Sequence, residues 1–347
     1  DKTTGVGNVG GRFNGGVYAA TATKLTRGYF RVESRGTVNG VSRSVEVFAA
    51  GPRTAYALGA LVSKAGITMI GTYNMDSYDS RDGSYASQAV NTDGWGTFAK
   101  ENATIAANKA IDAGPNAIIR GDAHPGPNDT FTYHKDTRVS GTIKNLDEEM
   151  DLPDPPLEDF VDAYNNNMNG SWGVSGVAPK YDAKTMSMEI GAGTRVSLKP
   201  GTYFFTSLKL VGGGQIEISG ETKIYLTGDI DISGGNVLNG TGKPENLEVI
   251  GHPYSSVGPS TVLKKAPAFK FSGGPTSAFA FYGPAYSVTG GGSGSFFGSI
   301  VGNDVTVSGI DLHYDEALAE ADNMTTTSIR IRKYMRAFTR ELGRPAF

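Results

Sequence analysis

Thr194-Arg195-Val196-Ser197-Leu198-Lys199-Pro200-Gly201-Thr202-Tyr203-Phe204-Phe205-Thr206-Ser207-Leu208-Lys209-Leu210-Val211 reads as a series of short strands. Apolar runs at 194–198, 202–205 and 208–211 are punctuated by glycine, proline–glycine and small polar residues, which end strands and make tight turns. The series goes on at 215–218, 223–226 and 229–232, then at 269–271, 278–282, 295–301 and 304–307. A spacing of roughly seven residues between strands leaves no room for the helix of a βαβ unit. The spacing predicts a mainly β fold, a parallel β-helix or solenoid with apolar side chains stacked inside each rung. Val196, Leu208, Ile216, Ile230, Ile300 and Val305 are the expected inward positions. An antiparallel sandwich has the same periodicity and is the competing fold.

Outward from this core, residues 1–50 read as a β-meander, with alternating runs at 17–23, 29–34 and 42–48. Val38-Asn39-Gly40-Val41 is a hairpin signal, because Asn-Gly supplies the positive φ angles of a type I′ turn. Residues 51–150 form an irregular, solenoid-like region, within which residues 102–113 fit a short helix and a further rung equally well. Residues 151–180 are a Pro- and Asn-rich connector, with a short helix expected near 157–164. The solenoid core spans 181–320. Residues 321–347 change character: Ile331, Met335, Phe338 and Leu342 fall on one helical face, stepped by three and four residues. Arg332, Lys333, Arg336 and Arg340 fall on the other. The expectation is a basic amphipathic helix that caps the open end of the solenoid.

Composition sets outer bounds. The 347 residues include 48 Gly, 16 Tyr and 16 Phe, with 38% hydrophobic and 19% charged residues. Glycine at about twice the average usage without a G-X-Y period excludes collagen and fits many tight turns. A net charge of −3 excludes a globally basic nucleic-acid binder. The absence of Cys excludes disulfides, thiolate metal sites and thiol nucleophiles. No apolar run is long enough to span a membrane. The start at Asp1 reads as processing, truncation or an unresolved beginning.

Two stretches resemble PilX-type pilus-assembly proteins that carry a glycine-rich β-helical domain of uncharacterised function. The first is Gly28-Tyr29-Phe30-Arg31-Val32-Glu33-Ser34-Arg35-Gly36-Thr37-Val38-Asn39-Gly40-Val41-Ser42-Arg43-Ser44-Val45-Glu46-Val47; the second runs from Phe296-Phe297-Gly298-Ser299-Ile300-Val301 to His313-Tyr314-Asp315-Glu316-Ala317-Leu318. Asp76-Ser77-Tyr78-Asp79-Ser80-Arg81-Asp82-Gly83 is similar to a segment of the same group. The resemblance implies a pilin-like N-terminal meander and an exported protein at the cell surface, tied to the membrane only through an N-terminal helix that this sequence does not contain. It implies other pilus or surface subunits as partners, or self-assembly, with surface polysaccharide a further candidate. A more distant resemblance, through Leu198-Lys199-Pro200-Gly201-Thr202-Tyr203-Phe204-Phe205 and the run Phe296-Phe297-Gly298-Ser299-Ile300-Val301, is to ice-binding solenoids.

The function expected is therefore that of a non-catalytic extracellular protein: a pilus-associated subunit, filament component or adhesin, with no cofactor, metal or catalytic residues. Two alternatives share the fold, a carbohydrate-active hydrolase or lyase and an ice-binding-like adhesin. Asn91-Thr92-Asp93-Gly94 resembles one polygalacturonase motif, but hydrolysis needs carboxylates converging on one bond. Asp229 and Asp231 share a strand face and read as solvated outer residues. His124, His134, His252 and His313 lack the i, i+4 spacing of a zinc pair. Gly212-Gly213-Gly214 and Gly290-Gly291-Gly292 read as turns, and Thr21 with Thr23 is only an isolated pair. Arg332, Lys333, Arg336 and Arg340 are the candidate partner-facing basic stripe.

Overall fold

The computed structural model describes residues 6–13, 16–24, 29–50, 55–254, 256–258, 267–272 and 277–321. They fall in two units. Residues 6–50 form an antiparallel sheet of four strands, Val6–Phe13, Gly16–Lys24, Tyr29–Val38 and Val41–Ala50, paired in sequence order. The last hairpin turns at Asn39 and Gly40 with φ of 51° and 77°. These left-handed angles are tolerated best by Gly and Asn, and they match the strand twist of a type I′ hairpin.

Residues 55–321 build a sixteen-stranded and a ten-stranded sheet in which nearly all pairs are parallel, together with a small hairpin. Strands Ser187–Ile190, Arg195–Leu198 and Gly201–Phe205 are followed by Ser207–Leu210, Gly214–Ile218 and Thr222–Leu226. Each pairs with its counterpart: Met188 with Leu208, Val196 with Ile216, Tyr203 with Ile224. The repeat continues through Ile230–Ile232, Gly235–Asn239 and Leu247–Gly251 to Asp304–Ser308 and Asp311–Asp315. Parallel register rules out the alternating antiparallel sandwich for these strands.

In-register stacking puts like side chains over like. Val196, Leu208, Ile216, Ile230, Ile300 and Val305 are all buried, none more than 3% exposed. Phe269, Phe279, Phe281 and Phe296 join in one aromatic cluster, with the Phe269 and Phe281 ring centroids 4.2 Å apart. Each such side chain contributes about 1.5–3 kcal/mol by leaving water.

The strand order is not the sequence order. Asp304–Ser308 pairs onward with Ile67–Ile70, and Asp311–Asp315 with Tyr73–Tyr78. Residues 300–302 pair with Leu61–Ser63. Beyond them come Ile105–Ala107, Ile111–Ala113 and Ala117–Ile119, then Phe131–Tyr133 and Arg138–Val139. The irregular segment 51–150 thus extends the same sheets from the C-terminal side, and residues 102–113 supply strands, not a helix.

Residues 151–182 run back to the other end. The helix Leu157–Asn166 buries Phe160 and Ala163 against Phe204, Tyr225 and Ile250. The hydroxyls of Tyr282 and Tyr254 donate to the carbonyls of Pro153 and Pro155, each at 2.5 Å. The next residues cover the edges of the Ser187–Phe205 strands. Gly173–Ser175 and Lys180–Asp182 pair antiparallel with Arg195–Leu198 and Ser187–Ile190. Asn169 bonds both the N–H and the carbonyl of Phe204. An unpaired edge would recruit foreign strands, and this one is closed by the connector. The C-terminal helix expected over 321–347 lies beyond residue 321, outside the described residues.

Candidate functional site

The ten-stranded sheet presents one continuous outward row. Its register aligns Lys180, Glu189, Lys209, Asp231, Lys270, Thr289, Thr306, Thr68, Asp112 and Thr132, one residue from each strand. Neighbouring strands lie about 4.8 Å apart, so the row is about 43 Å long. Half of it alternates in charge, and Lys180 Nζ lies 2.7 Å from Glu189 Oε1. The other half is threonine, interrupted by Asp112. Alternation is the arrangement that avoids like charges on adjacent strands. At the charged end an open depression of about 390 Å³ is lined by Lys180, Tyr181, Asp182, Glu189, Ser207 and Lys209. The hydrogen bond to Glu189 raises the Lys180 ammonium above its ordinary value, and Lys180 lowers the Glu189 carboxyl in turn.

A second outward row lies on the sixteen-stranded sheet, where Phe297, His313 and Asp76 occupy adjacent strands. It is roofed by the excursion between Tyr78 and Ala103, which carries the short helix Tyr85–Gln88 and the hairpin Asn91–Asp93 with Gly96–Phe98. His313 Nδ1 lies 2.6 Å from Asp76 Oδ1, while Asp76 Oδ2 accepts from Ala99 N–H and Tyr85 Oη. The imidazole packs against the rings of Tyr85 and Phe297, at 3.8 and 4.8 Å, and those two rings meet edge-on at 5.6 Å. Next to this row, the fully buried Arg120 guanidinium donates to Asn74 and Asp93 and lies 4.4 Å from the Phe98 ring. A buried guanidinium needs such partners, since an unpaired charge in the interior is costly.

Asp93 is thereby an anchor for the roof, and it also accepts from Trp95 N–H at 2.7 Å. Asp229 accepts from Ala268 N–H at 2.9 Å, and Asp231 accepts from Ser233 while holding its place in the exposed row. The structure does not bring these three acids together. The histidines each have a separate partner: His124 the Lys144 carbonyl, His134 Asp112, His252 Asp154 and His313 Asp76. No group of three or more His, Asp or Glu suited to a metal occurs among the described residues. The Gly212 and Gly213 φ angles of 59° and 86° are those of a turn. Thr21 and Thr23 lie in the four-stranded sheet, apart from the threonine row. Arg332, Lys333, Arg336 and Arg340 lie outside the described residues.

The threonine row and the charge ladder were not legible in the sequence. Neighbouring members are between nine residues apart (Lys180 and Glu189) and forty-four (Thr68 and Asp112), or more than two hundred where Thr306 meets Thr68, and only the strand register aligns them. The interior is packed instead of hollow: a void of about 20 Å³ lies between Leu208, Ile216, Ile230, Val249 and Phe269, and an apolar void of this size stays dry.

A family model described as a domain of unknown function, DUF7305, matches residues 207–321. Among solved structures, the competence-associated pilin ComZ from Thermus thermophilus is 10% identical with a TM-score of 0.27, covering 96% of this chain and 87% of that one. A glycosylated ice-binding protein, LeIBP, from an Arctic yeast is 11% identical with a TM-score of 0.35, covering 76% and 94%. No curated protein matches the chain. No helix among the described residues is long and apolar enough to cross a membrane.

Proposed function

We propose that this is a non-catalytic extracellular surface protein, a pilus-associated subunit, filament component or adhesin built on a parallel β-helix, and that the outward face of the ten-stranded sheet binds an extended partner. The observation that carries this reading is the unbroken row from Lys180 to Thr132. It is long, regular and open, with both charges and hydroxyls at strand spacing. Such a surface suits a polymer or a neighbouring subunit, whereas a small-molecule site is concave and mostly apolar. The acids considered for hydrolysis are each engaged in separate structural bonds, which supports a binding role over a carbohydrate-active one.

The test combines binding and chemistry. The chain is passed over immobilised pectin, alginate and chitin, and over a second copy of itself. Retention on one of these, lost in the triple variant Lys209→Glu, Asp231→Lys, Lys270→Glu, is expected. Release of reducing sugar from pectin, abolished by Asp93→Asn, would overturn the reading in favour of an enzyme.

A further inference from the structure

The two ends of the parallel stack are finished differently. At one, residues 168–182 lie against all three strands Ser187–Ile190, Arg195–Leu198 and Gly201–Phe205. Lys180–Asp182 and Gly173–Ser175 pair antiparallel with the first two, and Met168 N–H donates to the Thr202 carbonyl of the third. Pro179 lies between the two covering strands, and proline and charge blunt an edge. At the other end, the strands of the last turn, residues 131–144, have a neighbour on one side only among the described residues. Ala123 N–H donates to the Thr142 carbonyl and Lys144 N–H to the Ala123 carbonyl, so Ile143 turns its own N–H and C=O off the end. By the same ladder alternation, the bond from Ser140 N–H to the Ile119 carbonyl leaves Val139 turned outward, and that from Ile111 N–H to the Thr130 carbonyl does the same for Phe131 and Tyr133. The interior column ends there too. Phe131, Val139 and Ile143 are only half-buried, and Tyr133, its ring 4.9 Å from that of Phe131, is 60% exposed. Free backbone groups over an apolar floor are a template for further strands.

We infer that this end docks on the same end of a second copy of the chain, about a two-fold axis. Two observations select that occupant. The first is backbone parity. A two-fold axis pairs a strand with its own copy antiparallel. Centred on Thr132, it sets Phe131 against the partner's Tyr133, and both have an N–H and a C=O to exchange. The second is charge. The same centre sets Asp129 against the partner's Lys135, each three residues from Thr132, and it does so twice. Neither side chain has an ion pair or hydrogen bond among the described residues, whereas the neighbouring His134 and Arg138 are held by Asp112 and Asp136. The axis exchanges the other two open strands, so Val139 meets the partner's Ile143. Arg138 and Lys144 beside that contact bring Asp136 and Asp147 with them, at 3.6 and 3.3 Å. The covered end offers no such match, so association stops at two. In the dimer the outward row passes through Thr132 into its copy, giving twenty strands and a length of about 90 Å.

Sedimentation equilibrium of the 347-residue chain should show monomer and dimer and nothing larger. Asp129→Lys and Lys135→Glu each set like charges across the axis, and each should weaken the dimer about tenfold. Charge exchange separates a lost contact from a damaged fold. The double variant Asp129→Lys, Lys135→Glu should dimerise as the unaltered chain does, and so should an equimolar mixture of the two single variants. The dimer does not depend on what the outward row binds, so the triple variant Lys209→Glu, Asp231→Lys, Lys270→Glu should also dimerise unchanged. A chain that stays monomeric at every concentration, or that grows beyond a dimer, would overturn the inference. So would single variants that associate as before, or that neither the double exchange nor the mixture restores.

Discussion

The strands of residues 187–315 and those of residues 61–139 lie in the same sheets but are held by different means. The later strands are mostly four to six residues long, and their interior is Phe, Ile, Leu and Val. The earlier ones include several of two or three residues around Ala103, Ala107, Ala113, Ala117 and Ala123. Alanine buries too little surface to fix a short strand by packing alone. Side chain-to-backbone bonds take over there. Ser63 Oγ donates to the carbonyls of Asn303 and Gly66, Thr137 Oγ1 to Gly114, and Asn108 bonds both the N–H and the carbonyl of Met150. A parallel stack can thus be held by its contents or by its corners.

The sharpest test of that contrast is truncation of the packed part. Phe281→Ala should cost about 3–5 kcal/mol by urea unfolding, because Phe281 is fully buried against Phe269 and Tyr286. A loss below 1 kcal/mol would mean that the later strands do not depend on their filling.

Next in size is the corner at Gly298, which sits in the strand Ser295–Gly302 with φ 135°, where a Cβ would lie 2.0 Å from the Phe279 carbonyl oxygen. Gly298→Ala should cost at least about 1–3 kcal/mol through backbone strain. Ser63→Ala tests the corner bonds of the earlier strands and should cost about 0.5–1.5 kcal/mol, the net worth of one hydrogen bond, because the Asn303 and Gly66 carbonyls still accept from the N–H groups of Ala65 and Val305. Equal effects of Ser63→Ala and a surface Ser→Ala would erase the distinction between the two regions.

The smallest effect concerns pH at the joint between them. Burial raises the Asp315 carboxyl, with Ser80 and Ala317 N–H groups partly opposing. Its folded value therefore lies above its unfolded one. The protonated form favours the fold, and that contribution is present below the ordinary carboxylate range and lost as pH rises through the folded value. Asp79 has the opposite sign: the hydrogen bond from Arg81 lowers it, so its contribution is present above the unfolded value and lost as pH falls. Asp315→Asn should raise stability at neutral pH and leave it unchanged in acid, as measured by urea unfolding at a series of pH values.

How much could be read from the sequence follows the same divide. The runs around Val196, Leu208, Ile216 and Ile230 announce strands because strong alternation and glycine turns are local signals. Asn39-Gly40 announces its turn for the same reason. Residues 102–113 do not, since short alanine-rich strands have no pattern of their own and take their form from neighbours distant in sequence. The outward rows were hidden for a related reason: each is assembled by register, and register between strands hundreds of residues apart is a property of the finished sheet. Asn91-Thr92-Asp93-Gly94 resembles a motif but lacks its converging acids, and the role Asp93 does have is set by Arg120, a residue no local pattern links to it.

The seam between Asn303 and Ser63, 240 residues apart, also governs how the molecule comes into being. The strands Leu61–Ser63, Ile67–Ile70 and Tyr73–Tyr78 are made early, but one edge of each waits for residues 300–315. Closure over so long a span is slow. Until the last part of the chain has emerged, a row of open backbone donors and acceptors is exposed to any passing strand. A chain cut short before residue 300 would keep that edge permanently. Closure of these edges therefore requires residues 300–315, which meet strands made more than two hundred residues earlier.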